Sequence, residues 1–181
     1  MLAAGGQLNR KAGGPSFHAR ANPEALEGLS RKSAAWKVSS QNERNRRSVY
    51  MFTQRSLTLP LMSTFDFCDT TQPCGKRDTT TVAPQALALL NNQFVHEQSE
   101  ALANRITKQA GHGQTDQATL AWRFMLGRSP SSGELKLSIE HLRKQVKHFT
   151  DNASQAKPAS QLALTSLCHV LFNSNEFLYV D

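Results

Sequence analysis

The amino-acid sequence predicts a mainly α protein. The expected fold is an irregular helical bundle of about four to six helices, with one short strand or extended segment and a loosely ordered basic N-terminal arm. Three observations carry this expectation. Apolar residues recur at helical spacing through most of residues 84–172. Start and stop signals bracket those stripes. The excess positive charge lies in front of them: residues 1–60 hold ten Lys and Arg against three Asp and Glu, whereas residues 61–181 hold eleven of each.

Residues 1–46 form the expected arm, a basic segment distinct from a helical domain over residues 47–181. Gly5-Gly6, Gly13-Gly14-Pro15 and Ser39-Ser40-Gln41-Asn42 interrupt any periodic pattern. One short helix is expected within the arm, with Asn22 as N-cap and Pro23 at its first position. Residues 47–55 (RSVYMFTQR) are the best strand candidate, because Val49, Tyr50 and Phe52 favour extended backbone. No second strong strand is present to pair with it. Residues 57–67 read as an apolar helical turn beginning near Pro60, and residues 69–81 as a polar loop.

Four helical stretches follow. The first begins near Pro84, has a possible break at Asn91-Asn92, continues through Leu102 and Ile106, and ends at Gly111. The second covers about residues 115–126 and is closed by Gly127. The third has Ser131 and Glu134 at capping-box spacing, then a stripe of Leu135, Ile139, Leu142, Val146 and Phe149. In the fourth, Leu164, Leu167, Cys168, Leu171 and Phe172 share one face. The closing EFLYVD is too apolar to stay in solvent, so it is expected to dock.

Composition narrows the function classes. The chain has 181 residues, 39 % of them hydrophobic, enough for one domain with a core. No run approaches the ~20 apolar residues that span a bilayer. The N-terminus lacks the charged start and apolar stretch of a secretory signal. The net charge of +7 admits an arm for nucleic acid or another polyanion through basic residues 10–55. No nucleic-acid fold signature accompanies that charge, so nucleic acid is the less favoured partner.

The chemistry-bearing residues form few recognisable patterns. The histidines are His18, His96, His112, His141, His148 and His169, and no pair has the spacing that places two zinc ligands on one helix face. Cys68 and Cys74 do not form a C-x-x-C motif, although a short disulfide is conceivable in an oxidising compartment. Cys168 lies on an apolar face, as a buried thiol does. Cys168-His169 lacks the earlier cysteine of a haem-attachment motif, because position 165 is Thr. No catalytic residue and no metal ligand is assigned. Asp66, Asp69 and Asp78 cluster with Arg77, either as acids for catalysis or as turn residues with salt bridges; the turn reading is favoured. Arg46 and Arg47 sit beside the strand candidate, suited to anchoring it to carboxylates or to binding an anionic ligand; anchoring is favoured.

Several segments taken together are more specific. Residues 45–52 (NRRSVYMF), Leu59-Pro60-Leu61, Phe65-Asp66, residues 77–91 (RDTTTVAPQALALLN), Leu126-Gly127-Arg128-Ser129-Pro130, Leu167-Cys168-His169 and residues 175–181 (NEFLYVD) occur in a fixed order. This set resembles the C-terminal domain of unknown function of large planctomycete proteins, over about residues 40–181, and residues 5–15 resemble the segment preceding it. Such proteins commonly carry a cytochrome-c-like domain at the N-terminus. The resemblance implies a non-catalytic module, with haem held by an upstream domain and none in this chain. Upstream domains or another envelope protein are the implied partners, and the periplasm or cell envelope the implied location of full-length relatives. Met1 falls inside family-like sequence, so the chain is expected to be a fragment. An accessory role in a carbohydrate-acting enzyme, using the loop from Asp66 to Asp78, is the enzymatic alternative.

Overall fold

A computed structural model describes residues 1–21, 36–54, 59–68, 82–152 and 157–179. Its helices are α1 (Gln41–Arg44), α2 (Pro60–Thr64), α3 (Val82–Asn91), α4 (Gln93–Ala110), α5 (Gln114–Leu126), α6 (Ser132–Asp151), α7 (Ala159–Phe172) and α8 (Asn175–Leu178), with a 3-10 turn at Ser48–Tyr50. The chain divides into two compact units: Met1–Gln7 with Leu89–Asp181, and Leu8–Ala88. The mainly helical expectation holds.

The first unit is a bundle in which α7 packs against both α6 and α4, while α5 lies against all three. Local signals set the helix limits. The Asn92 side chain accepts from the Phe94 N–H at 2.9 Å, which starts α4 and separates it from α3 at the expected break. Gly127 adopts φ 72° and ψ 2°, the left-handed conformation that ends α5 without a Cβ clash. The capping box at α6 is formed: Glu134 accepts from the Ser131 N–H at 2.7 Å, and Ser131 accepts from the Glu134 N–H at 3.4 Å. The core draws on all four long helices. Val95, Leu102, Ala103 and Ile106 of α4, Ala118 and Ala121 of α5, and Ala163, Cys168 and Phe172 of α7 expose no surface, and Leu142 of α6 is buried beside them. The alanines leave room for the larger side chains between closely packed helices.

Both chain ends of this unit are tied down. Arg105 on α4 donates to the carbonyls of Ala4 at 2.7 Å and Ala3 at 3.3 Å, and its guanidinium lies 3.9 Å from the Phe124 ring of α5. Gln98 donates to the Gln7 side chain at 3.3 Å. The first seven residues are therefore docked, and the irregular arm is not uniform along its length. At the other end the tail docks as expected. Phe177 meets Phe172 edge-on at 5.1 Å.

In the second unit the strand candidate takes a different form. Among the described residues there is no strand. The Tyr50 N–H bonds to the Arg47 carbonyl at 3.0 Å and curls the segment into the 3-10 turn. Isolated parallel bridges, Asn9 with Arg46 and Phe17 with Met51, flank it. The physical reason is the partner. Residues 8–17 carry Gly13, Gly14 and Pro15, with φ 71° and 80° at the two glycines, and cannot offer a continuous ladder. The expected helix at Pro60 is α2, with Pro60 at its first position. The helix predicted from Asn22 lies outside the described residues.

Leu102→Ala should lower unfolding free energy by about 2–5 kcal/mol in urea denaturation. Leu137→Ala, at a side chain 67 % exposed, should change it by less than about 0.5 kcal/mol.

Candidate functional site

Among the described residues, two arginines, one in each unit, each hold several polar partners at once. In the second unit the Arg46 side chain has no exposed surface. It donates to the carbonyls of Pro15 at 2.9 Å, Gly13, and Lys11 at 3.4 Å, and to the Glu43 carboxylate at 3.1 Å. The guanidinium also sits 4.4 Å from the Tyr50 ring. A planar group with five N–H donors suits this task, because it can serve carbonyls from different directions at once. The left-handed glycines turn those carbonyls inward. Lys11 donates to Glu43 from the other side at 3.2 Å. Hydrogen bonds from Lys11 and then Arg46 hold the Glu43 carboxyl below its ordinary pKa. The Tyr50 hydroxyl is likewise held low, by the Gly13 backbone N–H first and then by Arg47.

Among the residues singled out from sequence, Arg46 and Arg47 thus come together on one loop-and-turn assembly. Arg46 anchors backbone and Glu43. Asp66 ends α2 at φ 56°, an uncommon conformation for a non-glycine residue. Asp69, Arg77 and Asp78 lie outside the described residues, as does Cys74. Cys68 and Cys168 carry free thiols, and complete burial pushes the Cys168 thiol far above its ordinary pKa.

In the first unit Arg128, in the α5–α6 turn, is gripped by two carboxylates. Its Nη1 and Nη2 donate to Glu134 at 2.9 and 2.8 Å, while Nε and Nη2 donate to Glu176 at 2.6 and 2.7 Å. The Trp122 ring lies 4.9 Å from the guanidinium. Arg128, followed by the Ser131 backbone N–H, lowers the Glu134 pKa to about 2. The same arginine lowers Glu176, and both carboxylates raise Arg128. Sequence reasoning assigned no role to this triad. Arg128 and Glu176 are 48 positions apart, and linear spacing carries no signal for such a pair. Both ends do lie in segments that resemble one family.

The histidines are dispersed. His18 stacks on Phe52 at 4.7 Å and meets Trp36 at 5.0 Å. His96 and His169 stack at 4.1 Å, their Nε2 atoms 3.1 and 3.4 Å from the Leu90 and Leu89 carbonyls at the end of α3. His141 meets Ser166 at 3.1 Å. Among the described residues no three His, Cys, Asp or Glu side chains are grouped to hold a metal ion. No described helix is long and apolar enough to cross a membrane.

These features define a helical domain whose charged clusters fasten its own elements. The chain belongs to the family described as PSD1, protein of unknown function (DUF1553), whose model matches residues 1–142. That stretch takes in residues of both units and ends within α6. No curated protein matches the chain, and no solved structure does.

The depressed Glu134 pKa has a signed consequence. Stability from the ionised carboxylate is present above the ordinary value of 4.5 and is lost as pH falls towards about 2. Thermal melts should show Arg128→Gln well below wild type at neutral pH, with the gap closing as pH falls through that window. A gap of equal size at both ends of the window would contradict the arrangement.

Proposed function

We propose that this chain is a non-catalytic helical module of a planctomycete exported or cell-envelope protein, serving assembly beside a cytochrome-c-like redox domain. The observation that supports this reading is where the two most heavily hydrogen-bonded arginines direct their donors. Arg128 spends its donors on Glu134 and Glu176, and Arg46 spends its own on Glu43 and the carbonyls of residues 11–15. Catalytic groups face a substrate; these arginines face their own fold. The resemblance in residue order supplies the rest of the proposal. In it the haem belongs to the partner domain, with its own C-x-x-C-H attachment.

A docking role also needs a contact surface, and exposed aliphatic side chains of the helical unit support that reading. Leu137 on α6 and Val170 on α7 are 67 % and 52 % exposed. The His141–Ser166 contact pairs the two helices. Exposed aliphatic side chains on two packed helices give a partner domain apolar points of attachment.

The test mixes the purified chain with a cytochrome-c-like domain cut from a longer protein that encodes both. Sedimentation should show a one-to-one complex, weakened by Leu137→Asp and by Val170→Asp with the fold unchanged. Failure of the two to associate, or turnover of a substrate by the chain alone, would overturn the proposal.

A further inference from the structure

A cleft of about 400 Å³ opens in the helical unit between α4, the α4–α5 turn and the start of α7. Its volume falls within the range of small-molecule sites, roughly 300–1,000 Å³. The lining is unusual for a groove between packed helices. Glu100, Asn104 and Thr107 form one polar stripe on α4, and Lys157, Ser160 and Gln161 face them from the α7 side. Gln161 joins the two walls: its Nε2 donates to Asn104 Oδ1 at 3.0 Å, and its Oε1 lies 3.1 Å from the Thr107 hydroxyl. Lys157 pairs with Glu100 and cancels its charge.

Four polar groups remain unused in this cleft. Gln117 is 8 % exposed, and its Nε2 donates to the Gly111 carbonyl, which leaves Oε1 without a donor among the described residues. The Asn104 amide nitrogen, the Ser160 hydroxyl and the His112 ring also have no hydrogen-bond partner among those residues. Residues carrying one acceptor, one amide donor, one hydroxyl and one imidazole therefore line a space with no net charge from its ion pair. Pro158 and the His112 ring add apolar edges.

We infer that this cleft binds a neutral polyhydroxylated ligand, a mono- or disaccharide. Amides and hydroxyls bind sugar hydroxyls because each hydroxyl both donates and accepts. An anion is the poorer fit, because Glu100 stands beside the cation that would hold it. An apolar ligand is a poor fit too, because covering these four groups would leave them without partners.

The experiment is an amide NMR titration of the whole chain with maltose, cellobiose and diacetylchitobiose, and separately with sodium sulfate. At least one neutral disaccharide should shift the Asn104 and Gln117 side-chain amides and the Ser160 backbone amide saturably. Asn104→Ala should weaken that binding by about tenfold, the equivalent of one lost hydrogen bond. Ser160→Leu, at an exposed position that makes no side-chain bond, fills the mouth of the cleft and should abolish binding with the fold intact. No shift with any of the three sugars, shifts with sulfate alone, or wild-type affinity in Ser160→Leu would each overturn the inference.

Discussion

The helical unit depends at one end on a single guanidinium. Arg128 leaves α5 just after its glycine cap and meets the third residue of α6 and the second residue of α8 at once. The Glu134 carboxylate it holds is also the one that caps α6. The Trp122 ring that flanks it donates to Ser138 at 3.0 Å, and Ser138 donates to the Glu134 carbonyl at 2.8 Å. Cap, turn and tail therefore share partners. Removing the arginine leaves two carboxylates without their shared cation and takes away one of the ties on the segment that carries Phe177. An isolated surface ion pair adds little to stability, but a bidentate, shared arrangement is the geometry in which such pairs count.

The second unit repeats the logic with a buried cation. Part of the positive charge that sequence places in the first third of the chain is not surface charge. Arg46 lies wholly inside and takes the place an apolar side chain fills in a larger core, and Lys11 is joined to Glu43. Charge counted along a sequence overstates the charge offered to a partner when cations are used to hold carbonyls.

What was legible in the sequence was local. The Ser131–Glu134 capping box, the glycine after Leu126 and the break at Asn91-Asn92 are decided within a few residues, and each lies where spacing placed it. The features that were not legible depend on distant partners. Residues 47–55 have strand-forming side chains, but their neighbour is a glycine-rich loop, so single bridges form in place of a ladder. Residues 1–7 look structureless alone, yet Arg105 holds their carbonyls from about a hundred positions away. Glu134 and Glu176 meet at Arg128 although they lie 42 positions apart, which spacing along the chain does not reveal; Asp69 and Asp78 of the acidic cluster lie outside the described residues.

A double-mutant cycle on Arg128 and Glu176 tests most directly whether the polarised groups of this domain are fasteners. Arg128→Gln, Glu176→Gln and the double variant would be unfolded in urea and compared with wild type. The account predicts that each single change destabilises the protein and that the double change costs less than the sum of the two. Additive effects, or single variants as stable as wild type, would contradict it.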